Sequence, residues 1–213
     1  AQHGPAGHTF RDLRSLFGLL SEDEYAAAVC ARELLHFDEC ARHCSRCGTA
    51  LVNDPQRLGR RCGQCGKESE PALRPVVLLL IHDGPRVLLT QPPGLPKDLF
   101  TLPAVEAAPA ESLERTGARF LRETLGIDVA RLRYHESQPW PYPDRLLLGF
   151  HGGAVAPRKG PPPALRPDPR EFAVARWFHI DDLPGLPPPI SLARRMIDWY
   201  AQLPRSGEAP ELP

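Results

Sequence analysis

The sequence predicts an α/β domain preceded by a short helical segment and a small four-cysteine module. Three observations carry that expectation. The apolar run Val76 to Ile81, the turn dipeptide Asp83-Gly84 and the stretch Arg86 to Thr90 read as a buried β-hairpin. Residues 111–126 read as one helix, entered after Pro109 and closed by Gly126. Cys44-x2-Cys47 and Cys62-x2-Cys65 repeat one spacing across fourteen intervening residues, a pattern that belongs to a metal site.

Taken in order, Ser21 with Glu24 forms a capping box, and Tyr25, Ala28, Leu34 and Leu35 among charged residues suit an amphipathic helix to about Phe37. Residues 1–41 are therefore a helical segment. Residues 42–70 hold too little apolar content to build a core unaided, so this stretch needs a metal. Each cysteine pair ends in glycine, Gly48 or Gly66, which accepts the backbone of a tight knuckle. Four thiolates close a tetrahedral zinc site, which makes the metal structural. Two other readings stand beside it: four unrelated buried thiols, and a nucleic-acid-binding ribbon using Arg46, Arg57, Arg60, Arg61 and Lys67. Cys30 and Cys40 lack any partner spacing and read as ordinary buried or half-buried thiols.

Residues 71–203 form the main domain. After the hairpin and the helix, Arg131 to Tyr134, Leu146 to Phe150 and Ala175 to Phe178 read as strands, with a proline-rich surface loop over 152–168. A last helix spans 190–203, and the tail 204–213 reads as disordered. Lys and Arg number 26 and so do Asp and Glu, so no overall field favours a polyanion or an anionic membrane. No apolar stretch approaches the roughly 20 residues of a membrane helix. No secretory signal is visible, which leads us to expect a reducing, cytoplasmic setting.

Ser137-Gln138-Pro139-Trp140-Pro141-Tyr142-Pro143 is similar to a signature string of the zinc-ribbon NADH pyrophosphatases, a branch of the Nudix family. Trp177-Phe178, Asp181-Asp182-Leu183-Pro184 and Ser191 to Arg195 resemble the same branch, and the likeness covers about residues 26–203. The resemblance implies a Nudix α/β/α sandwich and cleavage of NADH to AMP and reduced nicotinamide mononucleotide, with NAD-capped RNA as a further substrate of some members. It also implies Mg²⁺ or Mn²⁺ and a homodimer. The family's helix motif is matched at Glu111, Arg119, Leu121, Glu123, Gly126 and Ile127. Phe120 and Thr124 stand where the motif has glutamates, and Val105 stands where it has glycine.

Positions 120, 123 and 124 share one helix face, where the family carries its metal-binding carboxylates. Hard cations want several oxygens, so the sequence predicts weak divalent-metal binding and impaired or lost hydrolysis, with a non-catalytic nucleotide sensor or interaction module as the alternative. The candidate catalytic residues are Glu123 and Glu111. Glu171 matches a further metal-binding glutamate of the family; with Glu123 and Glu106 it either rebuilds a partial site or is one of several surface carboxylates. In the proline-fixed segment, alternation places Gln138, Trp140 and Tyr142 on one side, as a wall for a nucleotide or as an aromatic cluster of the core or a dimer interface.

Overall fold

The computed structural model describes residues 7–142, 144–155 and 162–203. The expected disorder of residues 204–213 lies outside them. The chain divides into two compact units, the first comprising residues to Leu73 with Pro139–Arg145, the second Arg74–Gln138 with the residues from Leu146. No helix among the described residues is long and apolar enough to cross a membrane.

In the first unit, one 3-10 turn at Leu13–Leu16 precedes helix α1, Glu22–Cys40. Ser21 caps α1 through the reciprocal bonds of a capping box, as the Ser-x-x-Glu spacing predicts. α1 runs one turn further than expected and buries no residue fully; Leu35 is 62% exposed, while Tyr25, Ala28, Leu34 and Phe37 are partly covered. Cys30 and Cys40 on it are exposed, which corrects the expectation of buried or half-buried thiols. Three short antiparallel strands follow: β1 Leu51–Asn53, β2 Arg60–Cys62 and β3 Glu68–Ser69.

The second unit is built on a six-stranded sheet. Its strands are β4 Arg74–Asp83, β5 Arg86–Gln91, β6 Ala104–Glu106, β7 Arg133–Trp140, β8 Arg145–Gly153 and β9 Val174–His179. The order is β7-β8-β4-β5-β9, with β6 also paired to β4. Alternation along β4 explains its continuous apolar run: Val77, Leu79 and Ile81 enter one core layer, and Leu78 and Leu80 the other. Helix α2, Leu113–Leu125, covers the first layer through Phe120, Leu121 and Leu125, and α3, Leu192–Gln202, covers the second through Leu192, Met196 and Ile197. This is an α/β/α sandwich.

Two glycines set the position of α2. A Cβ at Gly117 would lie 2.9 Å from the Leu79 side chain, so the glycine lets the helix approach β4 closely. Gly126, at φ 72°, caps the C-terminus in the left-handed conformation, as the sequence predicts. The N-terminus is capped by Ser112, whose side chain accepts from the Arg115 N–H. Val105, which stands where the family motif has glycine, lies in β6: it pairs with Val77 in an antiparallel register and packs on the core.

Candidate functional site

The four cysteines converge as their spacing predicts. Their sulfurs all lie within 4.8 Å of one another, with Cys44 to Cys65 at 3.6 Å and Cys47 to Cys62 at 3.4 Å. Tetrahedral Zn–S bonds of about 2.3 Å place sulfurs about 3.8 Å apart, so the cluster can hold a zinc ion. Each knuckle is a turn closed by its glycine: the Gly48 N–H donates to the Cys44 carbonyl at 2.9 Å and the Gly66 N–H to the Cys62 carbonyl at 3.0 Å. The Arg46 N–H donates to Cys44 Sγ at 3.4 Å and holds that thiol below its ordinary pKa. Contacts with Thr49 draw Cys47 down to about 6.

The basic residues of the ribbon are largely committed. Arg57 pairs with Glu68 at 3.2 Å and Glu70 at 3.3 Å, Arg60 pairs with Asp38 and donates to the Ala41 carbonyl, and Lys67 donates to Ser45 Oγ. Those pairings neutralise Arg57 and Arg60, two of the five cations that a nucleic-acid face would use.

On α2, Arg119 organises the motif residues. Its Nε and Nη2 donate to the Glu111 carboxylate at 3.0 Å each, and its Nη1 donates to Glu123 at 3.0 Å. Thr116 Oγ1 adds a bond to Glu111 at 3.2 Å. The Arg119 guanidinium holds Glu111 below the usual carboxylate range. Glu123 is exposed and tied one turn back along its own helix.

Phe120 and Thr124, beside Glu123, face inward. Phe120 is 7% exposed, and its ring meets Phe172 edge-on with centroids 5.9 Å apart. Thr124 Oγ1 donates to the Phe120 carbonyl at 2.7 Å, so its hydroxyl is spent on its own helix. The segment after the long loop completes the seal, since the Arg166 and Asp168 N–H groups donate to the Leu125 and Thr124 carbonyls at 2.8 Å. Glu171 is exposed in the adjoining turn, and Glu106 pairs with Arg74 at 3.4 Å. Among the described residues, the four cysteines are the one group of His, Cys, Asp or Glu whose ligand atoms converge. Glu106, Glu111, Glu123 and Glu171 therefore do not form a carboxylate cage for Mg²⁺ or Mn²⁺, and the residues on this face of α2 do not fit such an ion.

The candidate nucleotide wall is distributed differently from the alternation argument. Gln138 reaches the start of α3: its Nε2 donates to the Ile190 carbonyl at 2.8 Å, and its Oε1 accepts from the Leu192 N–H at 2.8 Å. Ser191, at the cap position, makes no side-chain cap bond, so Gln138 supplies the cap from the neighbouring strand. Trp140 and Tyr142 lie in the first unit and meet edge-on with centroids 5.2 Å apart. The Arg14 guanidinium sits 4.1 Å above the Tyr142 ring, and burial pushes the Tyr142 phenol up to about 12. Phe172 and the capping role of Gln138 escaped the sequence reading; both act over long sequence separations that no local pattern signals.

Comparison with known proteins follows the same division of the chain. Residues 72–203 match the family model described as NUDIX domain. A Deinococcus radiodurans protein named NAD-capped RNA hydrolase NudC is 34% identical over 96% of this chain and 72% of its own length. A Chromobacterium violaceum protein of the same name is 37% identical over 86% of this chain and 67% of its own. A Nudix hydrolase structure from Nitrosomonas europaea aligns with a TM-score of 0.55 at 20% identity, over 67% of this chain and 80% of that one, a likeness of fold. With the domain matched across the sheet and both helices, and relatives aligned along nearly all of the sequence, the chain belongs to the Nudix family, in its NADH pyrophosphatase-like branch.

Proposed function

We propose that this chain binds NAD(H) and the NAD cap of RNA, that its ribbon carries zinc, and that its diphosphate hydrolysis is impaired or lost. The names of its relatives support the ligand class. The observation that carries the loss of hydrolysis is the Phe120–Phe172 contact, which puts apolar surface where water activation needs metal-bound oxygens. Trp140 and Tyr142 supply the aromatic surface for a base or nicotinamide, and Gln138 holds the start of α3 beside that strand. The carboxylates left for any turnover are Glu123 and Glu171, with Glu111 acting only through Arg119. The protein works as a homodimer, which sedimentation of the full chain tests directly.

The deciding experiment incubates the full chain with NADH, or with a 5′-NAD-capped oligoribonucleotide, in Mg²⁺ or Mn²⁺, and follows both ligand binding and AMP or 5′-monophosphate release. Binding without turnover is the expected result. Turnover at the ordinary enzymic scale of about 1–10³ s⁻¹, abolished by Glu123→Gln, would refute the loss of hydrolysis. Trp140→Ala should weaken NADH binding more than a surface change beyond the opposite edge strand β9, such as Asp182→Ala.

A further inference from the structure

A second polar centre lies on the α3 face of the sheet, away from α2. His82 follows the alternation that puts Leu78 and Leu80 under α3, and its ring stacks on Tyr200 with centroids 4.8 Å apart. His135 on β7 and His151 on β8 flank the Trp199 ring at 4.3 Å and 5.0 Å. His151 is 7% exposed, and its Nε2 has no hydrogen-bond partner among the described residues.

His151 opens onto a cavity of about 270 Å³, whose walls include His82, Arg131, Arg133, Trp199 and Tyr200. No carboxylate lines it. Neither guanidinium makes an ion pair or side-chain hydrogen bond among the described residues. Burial, then the charges of His135, His82 and Arg133, holds His151 down to about 4, so at neutral pH its ring adds an uncharged surface to the cavity wall. The three imidazoles do not converge as metal ligands would. Two uncommitted guanidiniums suit a dianionic phosphate, and aromatic walls suit a flat ring. The volume suits one nucleotide and is small for a dinucleotide.

We propose that this cavity binds a nucleoside monophosphate, with Arg131 and Arg133 on the phosphate and the base against the wall formed by His151, Trp199 and Tyr200. The site is separate from the α2 face and does not depend on hydrolysis there.

The test titrates the full chain with AMP, adenosine and inorganic phosphate in turn, by calorimetry and by ¹⁵N-histidine NMR with His151 assigned from a His151→Asn spectrum. AMP should bind and shift the His151 Nε2 resonance, and adenosine and phosphate should each bind at least tenfold more weakly. Arg131→Ala with Arg133→Ala should weaken AMP at least tenfold, while Glu114→Ala, an exposed change on α2, leaves it unchanged. The histidine shift is read on unaltered protein, so it holds whatever the variants do to folding. The proposal is overturned by no binding at millimolar AMP, by binding that leaves His151 unmoved, by inorganic phosphate binding as tightly as AMP, or by AMP affinity indifferent to both arginines.

Discussion

Phe120→Glu with Thr124→Glu would put three carboxylates, with Glu123, on one face of α2, and its consequence can be worked from the packing. Phe120 is 7% exposed and Thr124 is 9% exposed. Truncating a buried phenylalanine costs about 3–5 kcal/mol, part of it here the edge-on contact with Phe172. A new carboxylate held in that pocket adds several kcal/mol of desolvation, which it escapes by swinging outward, so the metal-free variant should lose about 4–6 kcal/mol. Domains of this size have about 5–15 kcal/mol to lose, so the variant sits near the edge of folding. Mn²⁺ at a hundred times its dissociation constant should return about 2.7 kcal/mol by binding the folded state alone. Urea unfolding with and without Mn²⁺ measures both terms, and AMP release from NADH reports whether hydrolysis returns. An unaltered urea midpoint in the metal-free variant would refute the burial argument. A wild-type midpoint raised by Mn²⁺ as much as the variant's would refute the claim that Phe120 and Thr124 silence the site. A folded variant indifferent to Mn²⁺ would move the defect to β6, where Val105 is locked in register with Val77.

Four further outcomes are expected. Cys44→Ser should release the metal and unfold β1–β3 while leaving the β4–β9 sheet protected, as metal analysis with amide exchange would show. Ala110 has φ 63°, a left-handed conformation that costs a residue with a Cβ about 1–2 kcal/mol, so Ala110→Gly should raise stability by about 0.5–1 kcal/mol in urea melts. Gln138→Ala leaves the first turn of α3 uncapped and should lower stability by about 1–2 kcal/mol, again read from the urea midpoint. His151 binds its proton at about 4 when folded and near 6.5 when unfolded, so the unfolded state takes up the proton first as pH falls. Its contribution is full above pH 6.5 and declines toward pH 4, by up to about 3 kcal/mol, and His151→Leu should flatten that acid limb.

Elements fixed by local chemistry are the legible ones. The Ser21–Glu24 box, the Asp83-Gly84 turn, the Gly126 cap and the four-cysteine spacing each write their geometry into a few neighbouring residues. β6 is only three residues long and follows Pro103, so its strand character comes from pairing with β4 and not from its own composition. Gln138 looks like a ligand-facing amide in its proline-rich setting, yet its partners lie 52 and 54 residues away. Phe120 breaks the family motif in the sequence, but only the tertiary structure shows Phe172 packed on it. The histidine cluster joins β4, β7, β8 and α3, and no spacing along the chain announces it.

The motif positions on α2 separate into two physical roles, and under the proposed loss of hydrolysis this chain retains one of them. Arg119 ties Glu111, ahead of the helix, to Glu123 on its third turn, through a guanidinium that can serve two carboxylates at once. That clamp fixes the entry to α2 by geometry alone and needs no metal. Positions 120 and 124 have no such internal partner for a charge; glutamates there would repel Glu123 and each other unless a cation sat among them. Replacing them with Phe and Thr removes that dependence, and the Phe172 ring and the Asp168 N–H close the space left behind. On the proposed reading, a helix altered in this way keeps the half of the motif that fixes the fold. Matches at Glu111, Arg119 and Gly126 therefore report how α2 is held, whereas positions 120 and 124 report whether it can do chemistry.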